Sequence, residues 1–185
     1  MPIDPARYSW LDHIGQLPRM ISEARALIGT HELAGPGDNP AILAWASEVG
    51  GDVASHYSHD SVPWCGLFMA VVAKRAGKTP PADPLWALNW STFGQPAGQP
   101  MLGDVLTFLR RTDDGTAGHV GLYVAEDASA FHVLGGNQSD QVCFTRIGKD
   151  RLHAARRPIY VNRPATVRPF LVAAIGELAG NHTLA

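Results

Sequence analysis

Three residues of this 185-residue chain have types that together can break an acyl bond: Cys65, His119 and Asn137. A thiolate is a strong nucleophile, an imidazole carries protons near neutral pH, and a carboxamide can hold the imidazole in one orientation. Cys65 lies in "SVPWCGLFMAVVAKRAG", where Pro63 and a cap at Asp60 or Ser61 read as the start of a helix. A thiol at such a start meets unpaired N–H groups and the positive end of the helix dipole, which predicts a pKa lowered from about 8.5 toward about 3.5–7.5. The plain alternative is a packing role, because free cysteine is among the most buried residue types.

Strand pairing links His119 to Asn137. If "HVGLYVAE" and "FHVLGGNQ" form a hairpin centred on Ala128, then Ala125 faces Phe131, Tyr123 faces Val133 and His119 faces Asn137. Directly opposed residues share a face, with Cβ atoms about 4.5–5.5 Å apart, so Asn137 is predicted to accept the second N–H of His119. A slip by one residue would part them. Gln138 points to the other face of a regular strand and takes the role only if a bulge intervenes.

The elements that must carry these residues fall into two halves. From Trp10 to Leu27 apolar residues recur at spacings of three and four, which predicts amphipathic helix with a break at Pro18. "GTHELAGPGDNP" must be loop, and Asn39-Pro40 caps and opens a second helix that stops near Gly50-Gly51. The polar stretch "GGDVASHYSHD" reads as a connector to the Cys65 helix, which Lys74, Arg75 and Gly77 close. "LWALNW" sets Trp86 and Trp90 on one helical face. Thereafter short strands follow one another, "DVLTFLR", "HVGLYVAE", "FHVLGGNQ", "VCFTRI" and "HAARRPIY", with connections short enough to require antiparallel neighbours. The tail "VRPFLVAAIGELAG" reads as one more amphipathic helix. The expected fold class is α+β, with N-terminal helices packed on an antiparallel meander.

Composition narrows the function classes. With 45% hydrophobic and 17% charged residues the chain reads as one globular domain over residues 1–185, with helices flanking its core at both ends. Fifteen basic and seventeen acidic residues give a net charge of −2 without a basic block, so no nucleic-acid partner is expected. No apolar run spans a bilayer and the first residues do not form a secretory signal, so no membrane association and synthesis in the cytoplasm are expected. Two cysteines allow at most one disulfide, and Cys143, alternating in a strand, reads as passive. His56, His59 and Asp60 match no strong zinc spacing, so no metal is assigned. Trp64 and Trp90, and the loop residues Asp38 and Asn39, are the substrate-binding candidates. For the tryptophans core packing is the alternative, and for the loop a solvated role.

"VPWCGLF" followed by "GDVLTF", "GHVGLYV" and "LGGNQSD" resembles the cell-wall cysteine amidases and peptidases of the CHAP and NlpC-type superfamily. "GPGDNPAI" and "LGGNQSD" are similar to a phage-associated branch, and the resemblance covers roughly Ile28 to Pro158. It implies a papain-like core in which Cys65 attacks an amide carbonyl, His119 is the base and Asn137 orients it, without a cofactor. Trp64 stands where many NlpC-type members have Asp, and Gly135 where many CHAP members have an acidic residue. The implied substrate is the peptide stem of peptidoglycan, reached after lysis or by dedicated secretion, as for a phage lysin or an antibacterial effector. A monomer is expected, with an inhibitory immunity protein as partner in the effector case. Alternatives are a cysteine acyltransferase or protease acting on proteins, and a non-catalytic wall-binding module.

Overall fold

A computed structural model describes residues 2–112 and 115–184. Four α-helices precede a six-stranded sheet: α1 Arg19–Arg25, α2 Pro40–Val49, α3 Asp52–His56 and α4 Cys65–Arg75, then β1 Gln95–Pro96, β2 Val105–Thr112, β3 Gly115–Glu126, β4 Ala130–Gly135, β5 Cys143–Gly148 and β6 Leu152–Arg157. This is α+β. Short 3-10 turns occupy Pro5–Asp12, Ala87–Thr92, Lys149–Arg151 and Asn181–Thr183. Among the described residues no helix is long and apolar enough to cross a membrane.

Local chemistry explains most helix ends. Pro18 supplies the non-helical residue before α1, and the turn ahead of it, Pro5–Asp12, is 3-10 and not the first half of one long helix. Asn39 caps α2 by accepting the Ala41 N–H at 2.9 Å, with Pro40 at the first helical position. Gly50, at φ 77°, ends it. The start of α4 differs from expectation. Trp64 is its cap residue and no side chain caps it, because Asp60 accepts the N–H groups of Leu33 and Asn39 and ties two loops together.

The strands pair antiparallel in the order β1-β6-β2-β3-β4-β5. β2 to β5 form the expected meander, but β6 crosses back to pair with β2 and not with β5. The expected final helix is absent: Leu171 and Leu178 form isolated parallel bridges to Glu126 and Arg146 along the sheet. Its Pro169, Gly176 and Gly180 interrupt the helical pattern, and extended pairing satisfies the backbone instead.

Two apolar clusters sandwich the sheet. α4 packs Leu67, Phe68, Val71 and Val72, all fully buried, against Val105, Val120, Leu122 and Leu134. On the other face Leu106, Phe108, Tyr123, Phe131 and Val133 pack with Ala179 and Leu184 of the last segment.

The β3–β4 hairpin, which carries His119 at one end, is pinned by a buried carboxylate. Asp127 accepts Arg146 Nε at 2.7 Å, His132 Nε2 at 2.9 Å and the Ser129 N–H at 2.9 Å. Tyr8 closes the network onto His132 Nδ1 at 2.7 Å. These partners, with Arg146 first, hold Asp127 well below the usual carboxylate range despite its burial. Stability from Asp127 is therefore present above its unfolded pKa of about 3.9 and is lost as pH falls toward the depressed folded value. Replacing Asp127 with Ala strands the Arg146 cation, and urea titration at pH 7 is expected to show a loss of about 3 kcal/mol. A loss below about 0.5 kcal/mol, ordinary for a surface site, would contradict the structural weight given to this carboxylate.

Candidate active site

His119 stands on β3 directly opposite Phe108 of β2, so its side chain enters the face away from the bulk of α4. It is fully buried. Its Nε2 lies 3.1 Å from Gln138 Oε1. The Gln138 amide nitrogen, on its other side, donates to the Cys143 carbonyl at 2.5 Å and to that of Val133 at 3.4 Å. Those carbonyls can only accept, so the carboxamide turns its oxygen to the imidazole and His119 must carry its proton on Nε2. Nδ1 is then the lone-pair nitrogen, and it is buried without a hydrogen-bond partner.

Asn137 does not fill this role. The expected register holds at Tyr123 and Val133, but a bulge between Tyr123 and Ala125 sets Ala125 opposite His132 and not Phe131. Pairing of β3 with β4 ends at Leu122 and Leu134, before the chain reaches Asn137. Asn137 sits beyond the strand at φ 53°, 3% exposed, with Oδ1 buried and unpartnered. Gln138, the residue that a departure from regular strand would bring in, makes the contact. Gly136 is the hinge of this departure: a Cβ there would lie 2.5 Å from Phe68 Cβ and 2.7 Å from the Trp64 ring. Only glycine lets the chain pass this close to the first turn of α4.

Cys65 is the first residue of α4 and is 4% exposed. Tyr123 exchanges backbone hydrogen bonds with Gly103 and Asp104 on the β2 side, so by strand alternation the Val120 N–H points to the opposite edge, where β4 has already left. That N–H acts on the Cys65 sulfur, as do the N–H groups of Gly66 and of Cys65 itself. The thiol is thus near the Val120 backbone, the residue after His119, but no hydrogen bond joins the Cys65 sulfur to the His119 ring.

Burial dominates the electrostatics of both groups. It pushes the Cys65 thiol up, against the pull of the backbone N–H groups, so the expected lowering by the helix start is outweighed. Burial also lowers His119 to about 3, more than the Gln138 hydrogen bond restores, and the Arg110 and Arg151 charges add to the lowering. The resting pair is a neutral thiol and a neutral imidazole. Cys143 is pushed up to about 12 by burial, and its S–H donates to the Gln138 carbonyl at 3.2 Å. Both cysteines are free.

The substrate-binding candidates separate. Trp64 is fully buried, its Nε1 donating to Glu32 Oε1 at 2.6 Å, and its ring leans on Trp45. Trp90 is also fully buried, its Nε1 bound to the Pro84 carbonyl, while Trp86 lies outside the 3-10 turn and is exposed. Neither Trp64 nor Trp90 offers a face to a ligand, because core packing takes all of their surface. Asn39 spends its side chain on the α2 cap and on the His31 carbonyl. Asp38 lines a recess of about 350 Å3 with Glu32, Leu33, His59, Asp60 and Ser61. It accepts the Asp60 N–H at 2.9 Å and His59 Nδ1 at 3.2 Å, and the first of these holds its carboxyl below the ordinary value. No group of three or more metal-ligating side chains gathers among the described residues. Sequence reasoning missed Arg110 and Arg151, whose charges reach His119. Arg110 is brought there by the β2–β3 pairing, and Arg151 by the crossover of β6 and the turn before it, which no local pattern announces.

His119 gives the stability of the protein a distinct pH dependence. Its unfolded pKa is about 6.5 and its folded value about 3, so below 6.5 the unfolded chain binds the extra proton and folding is disfavoured. Between pH 7 and 5 this is expected to cost about 2 kcal/mol in urea-unfolding free energy, a loss that His119→Gln should remove. The same slope in both proteins would show that the imidazole is not held neutral.

No family model matches this chain, and neither does any curated protein; what the site can do follows from its own residues.

Proposed function

We propose that the protein is a papain-like cysteine hydrolase that cleaves an amide bond in the peptide stem of peptidoglycan. The observation that carries this reading is the buried His119 imidazole, with Nε2 held by Gln138 and Nδ1 without a hydrogen-bond partner, one residue before Val120, whose N–H acts on Cys65. An unpartnered buried nitrogen costs free energy, about 1–3 kcal/mol, and a proton acceptor kept open is a reason for that cost.

In this mechanism the Cys65 proton passes to His119 Nδ1, and the sulfur attacks the amide carbonyl carbon to form a tetrahedral intermediate. N–H groups at the first turn of α4 hold the oxyanion. His119 returns the proton to the departing amine as the C–N bond breaks, leaving a thioester. Water, deprotonated by His119, then releases the acid and restores the thiol. Because the resting pair is neutral, the thiolate and imidazolium form together on the enzyme only as substrate is engaged. Gln138 replaces Asn137 as the orienting group, since it is the residue within hydrogen-bond reach of the ring. The sequence motifs favour the wall as target; delivery after lysis or by dedicated secretion, and an immunity protein in the effector case, belong to the same proposal.

A second reading, a non-catalytic wall-binding module, is favoured by the burial of Cys65 and His119. Mass spectrometry of fragments released from purified sacculi separates the two. The hydrolase reading expects release by the parent and none by Cys65→Ala or His119→Ala. Gln138→Ala should retain activity reduced by about 10–100-fold, since loss of an orienting group costs less than loss of nucleophile or base. Undiminished release by folded Cys65→Ala, or none by the parent, would defeat it.

A further inference from the structure

We propose that Arg110 and Arg151 form a carboxylate-binding subsite beside His119, so that the protein selects amide substrates carrying a free carboxylate. This rests on the hydrolase reading for the words amide substrate, but the anion site stands on its own geometry. Arg110 lies two residues along β2 from Phe108, the partner of His119, and therefore on the same face as the imidazole. Arg151 reaches this face from the turn before β6, its Nε donating to the Leu109 carbonyl at 3.2 Å.

The two guanidiniums share one residue. Arg110 Nη1 donates to the Asn181 carbonyl at 3.2 Å, and Arg151 Nη2 donates to Asn181 Oδ1 at 3.0 Å, with Arg151 Nη1 on the Ala179 carbonyl at 3.0 Å. All of these acceptors are neutral. Neither arginine forms a salt bridge among the described residues, and the nearest acidic influence on Arg151 is its neighbour Asp150. Burial first, and then the Arg110 charge, lower the affinity of Arg151 for its proton.

Two like charges brought together on neutral partners are unfavourable unless an anion joins them. The decisive feature is Arg110 Nε, an N–H of a charged group that is buried and has no acceptor among the described residues. A planar carboxylate suits a guanidinium with two adjacent donors, and one oxygen on Nε would complete it. Both arginines are partly exposed, and a carboxylate oxygen reaches Arg110 Nε only by moving the atoms that cover it. A carboxylate there would lie on the imidazole side of the site. Its negative charge would also offset the two cations that disfavour the imidazolium, so that the correct substrate helps to create the proton-carrying state of His119.

The test uses the full chain labelled with 15N and follows the Arg110 Nε–H resonance during titration with N-acetyl-D-alanine or with N-acetyl-D-alaninamide. A saturable shift is expected with the acid, at least about tenfold weaker binding is expected for the amide, and Arg151→Gln should weaken the acid to the level of the amide. Arg151→Lys, which keeps the charge and loses the fork, should fall between the two. Equal responses to acid and amide, or no saturable response to the acid, would overturn the subsite. Because no cleavage is measured, binding of the acid by a protein that releases no sacculus fragments would defeat the hydrolase reading alone. Cleavage of sacculi without discrimination between the two probes would defeat the subsite alone.

Discussion

The Gln138 carboxamide is the interaction on which the site depends. It lies between an imidazole and a backbone carbonyl of the neighbouring strand, and each end fixes the other. Since the Cys143 carbonyl can only accept, the amide nitrogen must face it, the oxygen must face His119, and the ring proton must sit on Nε2. A hydrogen bond worth about 1 kcal/mol in stability thereby determines which nitrogen of a buried ring is basic. Everything that places Gln138 serves this: the end of β3–β4 pairing at Leu134, the missing side chain at Gly136, and the left-handed backbone at Asn137, Ser139 and Asp140 around it.

Burial is the counterweight. Removing an imidazole and a thiol from water disfavours their charged forms, and here it outweighs the backbone N–H groups at the helix start and the Gln138 hydrogen bond. A helix start capped at Asp60 or Ser61 predicts a lowered Cys65 pKa. In the folded protein the helix begins later, without a side-chain cap, and the sulfur is enclosed between α4 and β3. In the proposed hydrolysis, charge separation would therefore be created with the substrate and not stored at rest. The arginines on the imidazole face act in the same direction, disfavouring the charged form of His119.

How much of this was legible in the sequence varied with the range of the interaction. Local signals were reliable: Asn39-Pro40 opened a helix, Gly50 closed it, and the alternation of "HVGLYVAE" gave the correct opposition of Tyr123 and Val133. The class, α+β with an antiparallel sheet, followed from element order and short connections. Features set by tertiary contact were not legible. The β6 crossover, the extended tail that replaced a helix, and the withdrawal of Trp64 and Trp90 into the core depend on which surface lay nearest. Asn137 was one residue from the group that makes the contact. A regular strand would have favoured it, and the chain leaves the strand just before it.

The account's central claim is that His119 is a neutral imidazole protonated at Nε2 because Gln138 holds it so. The most direct measurement is the 15N spectrum of the His119 ring between pH 5 and 8. A protonated Nε2 and an unprotonated Nδ1 throughout that range, giving way to a mixture of tautomers in Gln138→Ala, is the predicted result. An imidazolium forming near the ordinary pKa of about 6.5, or a proton resident on Nδ1, would contradict it.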